Sequence, residues 1–141
     1  MRRFNPLRTI LDGVQATGFG NTINLTDTRH KTFVIATSGM AAGDIATFKV
    51  ATSIADDAPT FSSAASYINL WEYDRFRHKK TGTLYNGTNG ITLTFSATQF
   101  IYQFILEDDK AKWMNIDLTS LTDGDSSASF YAYISTANDT E

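Results

Sequence analysis

The sequence predicts an all-β protein: an antiparallel β-sandwich of about eight strands, jelly-roll-like, with an extended N-terminal arm. Of its 141 residues, 20 are Thr and 10 are Phe, side chains that suit a pleated, half-buried surface. Short apolar or alternating segments recur from residue 21 onward and are separated by turn residues. No segment between them is long and amphipathic enough to form a crossover helix. The length and the 42% hydrophobic content indicate one domain with its own core.

The first 18 residues differ from the rest, and we divide the chain into an N-terminal arm (1–18) and a β-sandwich domain (19–141). The arm holds three of the six arginines together with a few large apolar residues. Asn5-Pro6 disfavours helix before Leu7. Residues 7–14 are compatible with a short amphipathic helix or with a strand packed on its own domain. The third interpretation is an arm that becomes ordered against a neighbouring subunit.

Eight segments carry the strand pattern: 21–25, 32–37, 45–53, 68–73, 91–96, 100–106, 112–118 and 127–135. In the third, the alternation predicts that Phe48 and Val50 face a core. In the last, either the Phe130 face or the face of Tyr131 and Tyr133 is the buried one, and the tyrosine face is available to a partner. The irregular segment 54–66 is expected to cross between the sheets.

Composition excludes several classes of function. Cysteine is absent and there are only two histidines, which argues against disulfides, thiolate metal sites and zinc centres. A net charge of −3 argues against a nucleic-acid partner, because such binding depends on neutralising phosphates. No apolar segment has the length of a membrane span, and no signal peptide is apparent. We therefore expect synthesis in a cytoplasm, no membrane or nucleic-acid partner, no metal and no cofactor.

No catalytic motif is present. The chain lacks a Gly-x-Ser-x-Gly elbow and a Walker loop, and adjacent carboxylates such as Asp56 and Asp57 point to opposite faces of a strand. A glycan hydrolase would need two facing carboxyl groups roughly 5–10 Å apart, which a sequence does not reveal. We expect that the protein is not an enzyme.

Two clusters are candidates for binding. The basic segment 75–80 is an anion-binding or partner-binding loop, a solvated hairpin, or a contact to an acidic patch of a shell protein. Trp71 and Tyr73, with Trp113, form either a sugar-stacking platform or anchors of the core.

The order and spacing of several segments resemble small virion proteins of tailed phages. The matching segments are 33–39, 43–53, 59–61, 64–66, 69–73 and 87–91, followed by Tyr102 and Trp113. Together they span roughly residues 30–135. The basic segment 75–80 departs from the more neutral sequence expected there. This departure bears on which surface of the virion the segment faces, and not on the fold.

The resemblance implies a β-sandwich structural protein, above all a capsid decoration (cement) protein on the capsid exterior. Its expected partners are the major capsid protein and further copies of itself, as a trimer or another homo-oligomer. The alternative is a receptor- or carbohydrate-binding module of a head fibre, tail fibre or baseplate. The expected interface residues are Arg2, Arg3, Phe4, Leu7, Arg8, Ile10, Leu11, Arg75, Arg77, Lys79 and Lys80.

Overall fold

In its described residues, the computed structural model of the chain has thirteen β-strands in two antiparallel sheets. The structure describes residues 2–26, 28–61, 72–73, 75–86, 90–94, 99–106, 110–122 and 128–139. No helix occurs in these ranges. The described residues therefore contain no helix that could span a membrane. The predicted all-β sandwich is confirmed.

The strands are short at the N-terminus and long at the C-terminus. In chain order they are β1 (Arg2–Phe4), β2 (Arg8–Val14), β3 (Gly18–Phe19), β4 (Ile23–Asn24), β5 (His30–Ser38), β6 (Ile45–Ser53), β7 (Glu72–Tyr73), β8 (Arg75–His78), β9 (Leu84–Asn86), β10 (Ile91–Thr94), β11 (Gln99–Leu106), β12 (Trp113–Thr122) and β13 (Ser129–Asp139).

Sheet A has the order β1-β13-β5-β11-β8-β9, with β2 pairing the same strand, β13, as β1 does. Sheet B has the order β10-β6-β12-β3, with β4 on β12 and β7 on β6. The sandwich thus pairs four strands of sheet A, in the order β2-β13-β5-β11, with four strands of sheet B, in the order β4-β12-β6-β10. From β9 to β13, each connection passes from one sheet to the other. This strand order is that of a jelly roll, extended at one edge by the β8–β9 hairpin.

Phenylalanine rings from both sheets form the centre of the core. Phe33 stacks on Phe104 at 5.0 Å between ring centroids. From sheet B, Phe48 contacts both rings and also Phe76 and Phe130, at 5.7–6.3 Å. All five side chains are fully buried. Edge-to-face and offset contacts of this kind add roughly 0.5–1.5 kcal/mol per pair to the hydrophobic gain, so this cluster joins the two sheets.

The N-terminal segment is a strand of the sandwich. Residues of β2 pair with β13 from Arg8↔Ile134 to Val14↔Phe130, with two irregularities in register. The apolar side chains of Ile10 and Leu11 are 1% and 3% exposed. The helix alternative for residues 7–14 is therefore wrong, and the strand packed on its own domain is what forms. Pairing with β13 continues to Arg2, so both β1 and β2 belong to sheet A.

A close contact locks the segment after β2 against sheet B. The buried Asn115 side chain accepts a hydrogen bond from Gly20 N at 2.9 Å and donates one to Gly20 O at 2.8 Å. A Cβ on Gly20 would lie 2.0 Å from Ile10 O. Only glycine allows the backbone to approach this closely, so Gly20 and Asn115 hold the chain that follows β3 between β2 and β12.

Several sequence predictions can be compared with the strands. The prediction for 45–53 coincides with β6, and Phe48 and Val50 are both fully buried. The other seven segments overlap observed strands, although residues 68–71, 95–96 and 127 lie outside the described ranges. The segment 54–66 was expected to cross between the sheets, and this expectation is wrong. The connection that follows β6 leads to β7, which pairs with β6 in the same sheet. The change to sheet A comes between β7 and β8, since β8 pairs with β11.

Candidate interaction surface

The outer face of sheet A is built from the outward residues of its three central strands, β5, β11 and β13. Strand register places them in rows. One row is Tyr131–Ala36–Ile101, the next is Tyr133–Val34–Gln103 and the third is Ser135–Thr32–Ile105. Because side chains alternate across a strand, these side chains point away from the phenylalanine core.

This face is apolar and carries no charge at its centre. Ile101 is 64% exposed and Ile105 is 37% exposed. None of the nine residues in the three rows is Asp, Glu, Lys or Arg. Charged residues stand at its margin instead, among them Arg77 beside Ile105 and Asp12 near Tyr133. Lys79 and Lys80 also line a shallow groove with Ile101 and Gln103. A neutral, aromatic centre with a polar rim is the composition of a protein–protein interface.

The two tyrosines of β13 form an ordered part of the face. Their rings stack nearly parallel, 6.3 Å apart between centroids with an interplanar angle of 12°. A Cβ on Gly13 would lie 3.1 Å from the Tyr131 hydroxyl, so the ring lies over the β2 backbone there. Burial raises the pKa of Tyr133, and the charge of Asp12 raises it further. Two rigid rings held by neighbours can contact a partner at low entropic cost.

A shallow groove of about 310 Å³ continues the face toward β1. Val34 and Gln103 line it on the sheet, and Phe4 and Lys79 line it at its borders. Phe4 is 71% exposed. The groove therefore connects the outer face of sheet A with one of the N-terminal residues expected at an interface.

The outer face of sheet B has a different chemistry. Lys49 and Asp117 lie opposite each other in the β6–β12 register, so charged residues occupy its centre. Thr47 and Thr92 join the neighbouring strands through a hydroxyl–hydroxyl bond of 2.9 Å. Such a face is suited to solvent, and of the two faces that of sheet A is the candidate for binding a partner.

The expected N-terminal interface residues separate into two groups. Phe4 and Leu7 are 71% and 60% exposed and are free to contact a partner, whereas Ile10 and Leu11 belong to the core. Arg8 is half-buried, and its Nη1 donates to Asn24 O at 2.6 Å, so it holds two segments of its own chain together. Arg2 and Arg3 lie in β1, and their side chains lie outside the description.

The basic segment 75–80 forms one arm of the β8–β9 hairpin and its turn. Phe76 is fully buried and anchors it to the core. Arg77 donates from Nη1 to Gly82 O at 2.8 Å across the turn, and Arg75, Lys79 and Lys80 are exposed. The hairpin alternative is confirmed in its backbone. The exposed cations stand at the edge of sheet A, next to its outer face.

The expected aromatic platform of Trp71 and Tyr73 is not described, because Trp71 and the Tyr73 side chain lie outside the described residues. Trp113 is half-buried on sheet B, and its Nε1 donates to Ala55 O at 3.0 Å. Among the described residues, no group of three or more His, Asp and Glu side chains is placed to hold a metal ion.

Of the outer face of sheet A, the sequence analysis identified only the tyrosine face of the last strand as a candidate site. The rows on β5 and β11 were missed. The residues of β5 and β11 alternate between a phenylalanine core and a neutral exterior, so hydrophobicity alone does not show which face is open. The signal that the sequence does carry is the lack of charge at the outward positions of three neighbouring strands.

Comparison with known proteins shows a shared fold. No protein family model matches the chain, and no curated protein matches it by sequence. Among solved structures, the chain is similar to the SPBc2 prophage-derived protein YomS, with a TM-score of 0.59 and 8% sequence identity. The match covers 98% of this chain and 96% of YomS. The likeness therefore extends over the whole sandwich, including the N-terminal strands.

Proposed function

We propose that this chain is a non-enzymatic structural protein of a tailed-phage virion, and specifically a capsid decoration protein. It attaches to the assembled shell on its exterior and bridges neighbouring subunits of the major capsid protein. The observation that carries the proposal is the neutral, apolar outer face of sheet A. The sequence resemblance to phage virion proteins and the fold shared with a prophage-derived protein support the phage context.

The outer face of sheet A supplies the contact area. Ile101, Ile105 and the stacked Tyr131 and Tyr133 become buried when the face meets a flat partner, and each apolar side chain so covered contributes on the order of 1 kcal/mol or more. The exposed Phe4 and Leu7 extend the contact along the N-terminal edge. Exposed cations at Arg75, Lys79 and Lys80 then meet carboxylates on the shell.

Stabilisation of the shell follows from mass action. A protein that binds the assembled lattice but not separated subunits favours the assembled state. Contacts between adjacent copies, as in a trimer, raise the effective concentration for each further contact. A small folded domain can thus reinforce a shell without chemical catalysis.

A capsid-binding experiment tests the proposal. Capsids of the source phage that lack this protein are mixed with purified protein, and the bound fraction is measured after sedimentation. Ile101→Lys places a charge at the β11 end of a row of the face and is expected to weaken binding by about tenfold or more. Ile54→Lys is the matched control, because Ile54 is also 64% exposed but follows β6 of the other sheet. Equal binding by both variants contradicts the assigned face, and no binding by wild-type protein contradicts the function.

A further inference from the structure

A second concave surface lies away from the three rows of sheet A. It occupies about 610 Å³, within the roughly 300–1,000 Å³ of small-ligand sites. It lies where the chain passes from β4 to β5, and we call it the Trp113 groove. Its lining residues are Asn5, Pro6, Arg8, Asn24, Thr26, Thr28, Asp56 and Trp113.

Two amide side chains in the groove each use one polar atom in a hydrogen bond within the chain and leave the other polar atom for a ligand. Asn24 Oδ1 accepts a hydrogen bond from Thr26 N at 2.8 Å, which leaves its NH₂ group without a partner among the described residues. Asn5 Nδ2 donates to Thr136 Oγ1 at 3.0 Å, which leaves Asn5 Oδ1 without a hydrogen-bond donor in the described part of the chain. The groove therefore presents one fixed donor and one fixed acceptor, whose orientations local bonds already determine.

The charged groups of the groove nearly balance. Arg8 uses Nη1 to bind Asn24 O, and its other N–H groups have no partner in the described part of the chain. Asp56 pairs with Lys112 at 2.7 Å, and this hydrogen bond and the lysine charge lower the pKa of Asp56. Because Lys112 offsets the charge of Asp56, the named groups leave the single positive charge of Arg8, which can donate to a neutral hydroxyl and is too little for nucleic-acid binding.

Trp113 and Pro6 supply apolar ring surfaces. The indole N–H of Trp113 is already bonded to Ala55 O, so the polar atom of the indole is occupied and its apolar ring atoms remain for the groove that it lines. An aromatic face beside fixed hydrogen-bonding groups is complementary to a molecule with one C–H-bearing face and several hydroxyls. Sugar rings have this character.

We propose that the Trp113 groove is a carbohydrate-binding site that takes a sugar residue of a cell-surface glycan. The sugar ring stacks on the Trp113 indole, while its hydroxyls accept from Asn24 Nδ2 and Arg8 and donate to Asn5 Oδ1. None of the groove residues belongs to the rows of the outer face of sheet A, although Asn5 and Pro6 lie between Phe4 and Leu7 in the chain, so capsid binding is measured alongside sugar binding below. A decoration protein with such a site would bring the particle to glycan-covered surfaces.

NMR titration of the whole chain with soluble tetrasaccharides of N-acetylglucosamine, glucose and galactose, at millimolar concentrations, tests the site. The side-chain amide signals of Asn5 and Asn24 are expected to shift and saturate with at least one sugar. Asn24→Asp keeps the acceptor for Thr26 N but removes the donor, and it is expected to weaken binding about tenfold, as for a lost hydrogen bond.

Gln15→Glu is the matched control, the same amide-to-acid change at an exposed position at the other end of β2, and it is expected to bind like wild type. Absence of saturable shifts with all three sugars overturns the proposal, as does wild-type affinity in Asn24→Asp. Capsid sedimentation of Asn24→Asp separates the two functions, because loss of sugar binding with retained capsid binding assigns the groove to glycans alone.

Discussion

Leu7 and Leu11 lie four residues apart in the same N-terminal segment, yet their side chains have opposite environments. Leu11 is 3% exposed in the core, whereas Leu7 is 60% exposed. Truncating a buried leucine to alanine removes its transfer free energy and leaves a cavity, at a total cost of about 2–5 kcal/mol. The same truncation at an exposed site changes stability by within about 0.5 kcal/mol. The pair therefore measures whether β2 is part of the sandwich.

Urea unfolding followed by tryptophan fluorescence gives the free energy of unfolding for both variants. With a slope of about 2 kcal/mol per molar urea, Leu11→Ala is expected to lower the midpoint by more than 1 M, and Leu7→Ala by less than about 0.3 M. Equal, small shifts for both would refute the integration of β2 and restore a detachable arm. For the same reason, deleting residues 1–11 is expected to unfold the protein rather than leave a folded domain without its N-terminal segment.

Four further substitutions test single positions. Gly20→Ala is expected to cost about 2–3 kcal/mol in urea unfolding, because its Cβ would lie 2.0 Å from Ile10 O; wild-type stability would contradict the close approach. Thr37→Val is expected to be neutral or to stabilise by up to about 1 kcal/mol, since no described residue bonds the buried Thr37 hydroxyl; a clear loss would indicate a missed partner. The raised pKa of Tyr133 makes its contribution to stability complete below pH of about 10 and lost as pH rises through the folded-state pKa. Tyr133→Phe is therefore expected to reduce the alkaline loss of stability, and Asp12→Asn to lower the tyrosine pKa in an absorbance titration; an unchanged pKa would contradict the proximity of Asp12.

The fold class follows from patterns that are local in the sequence. The alternation in β6 predicted both its bounds and the burial of Phe48 and Val50, because a period of two forces one face inward. The short strands β1, β3, β8 and β9 have too few residues to show a period. In β8, arginines on both sides of the buried Phe76 made the segment resemble a solvated turn.

The N-terminal segment shows why an isolated segment is ambiguous. Ile10 and Leu11 are adjacent, and both are buried, whereas a regular strand would turn one of them outward. The irregular register between β2 and β13 accounts for this, and it depends on residues more than 90 positions away. Tertiary contacts rather than local preference decide such a segment.

The candidate site was predictable only in part. The tyrosine face of the last strand was one of two open alternatives, and burial of Phe130 decides it. The rows that join this face to Ile101 and Ile105 depend on the neighbouring position of β5 between β13 and β11. The Trp113 groove unites residues from positions 5 to 113, a set that no spacing in the sequence brings together.

Copy number per virion is the most direct test of the claim that this chain coats an ordered shell. Quantitative mass spectrometry of virus particles purified from the source of this sequence compares its abundance with that of the major capsid protein. A decoration protein is expected at a fixed, small-integer ratio to the major capsid protein, in the hundreds per particle. A few copies per particle, or none, would contradict the account.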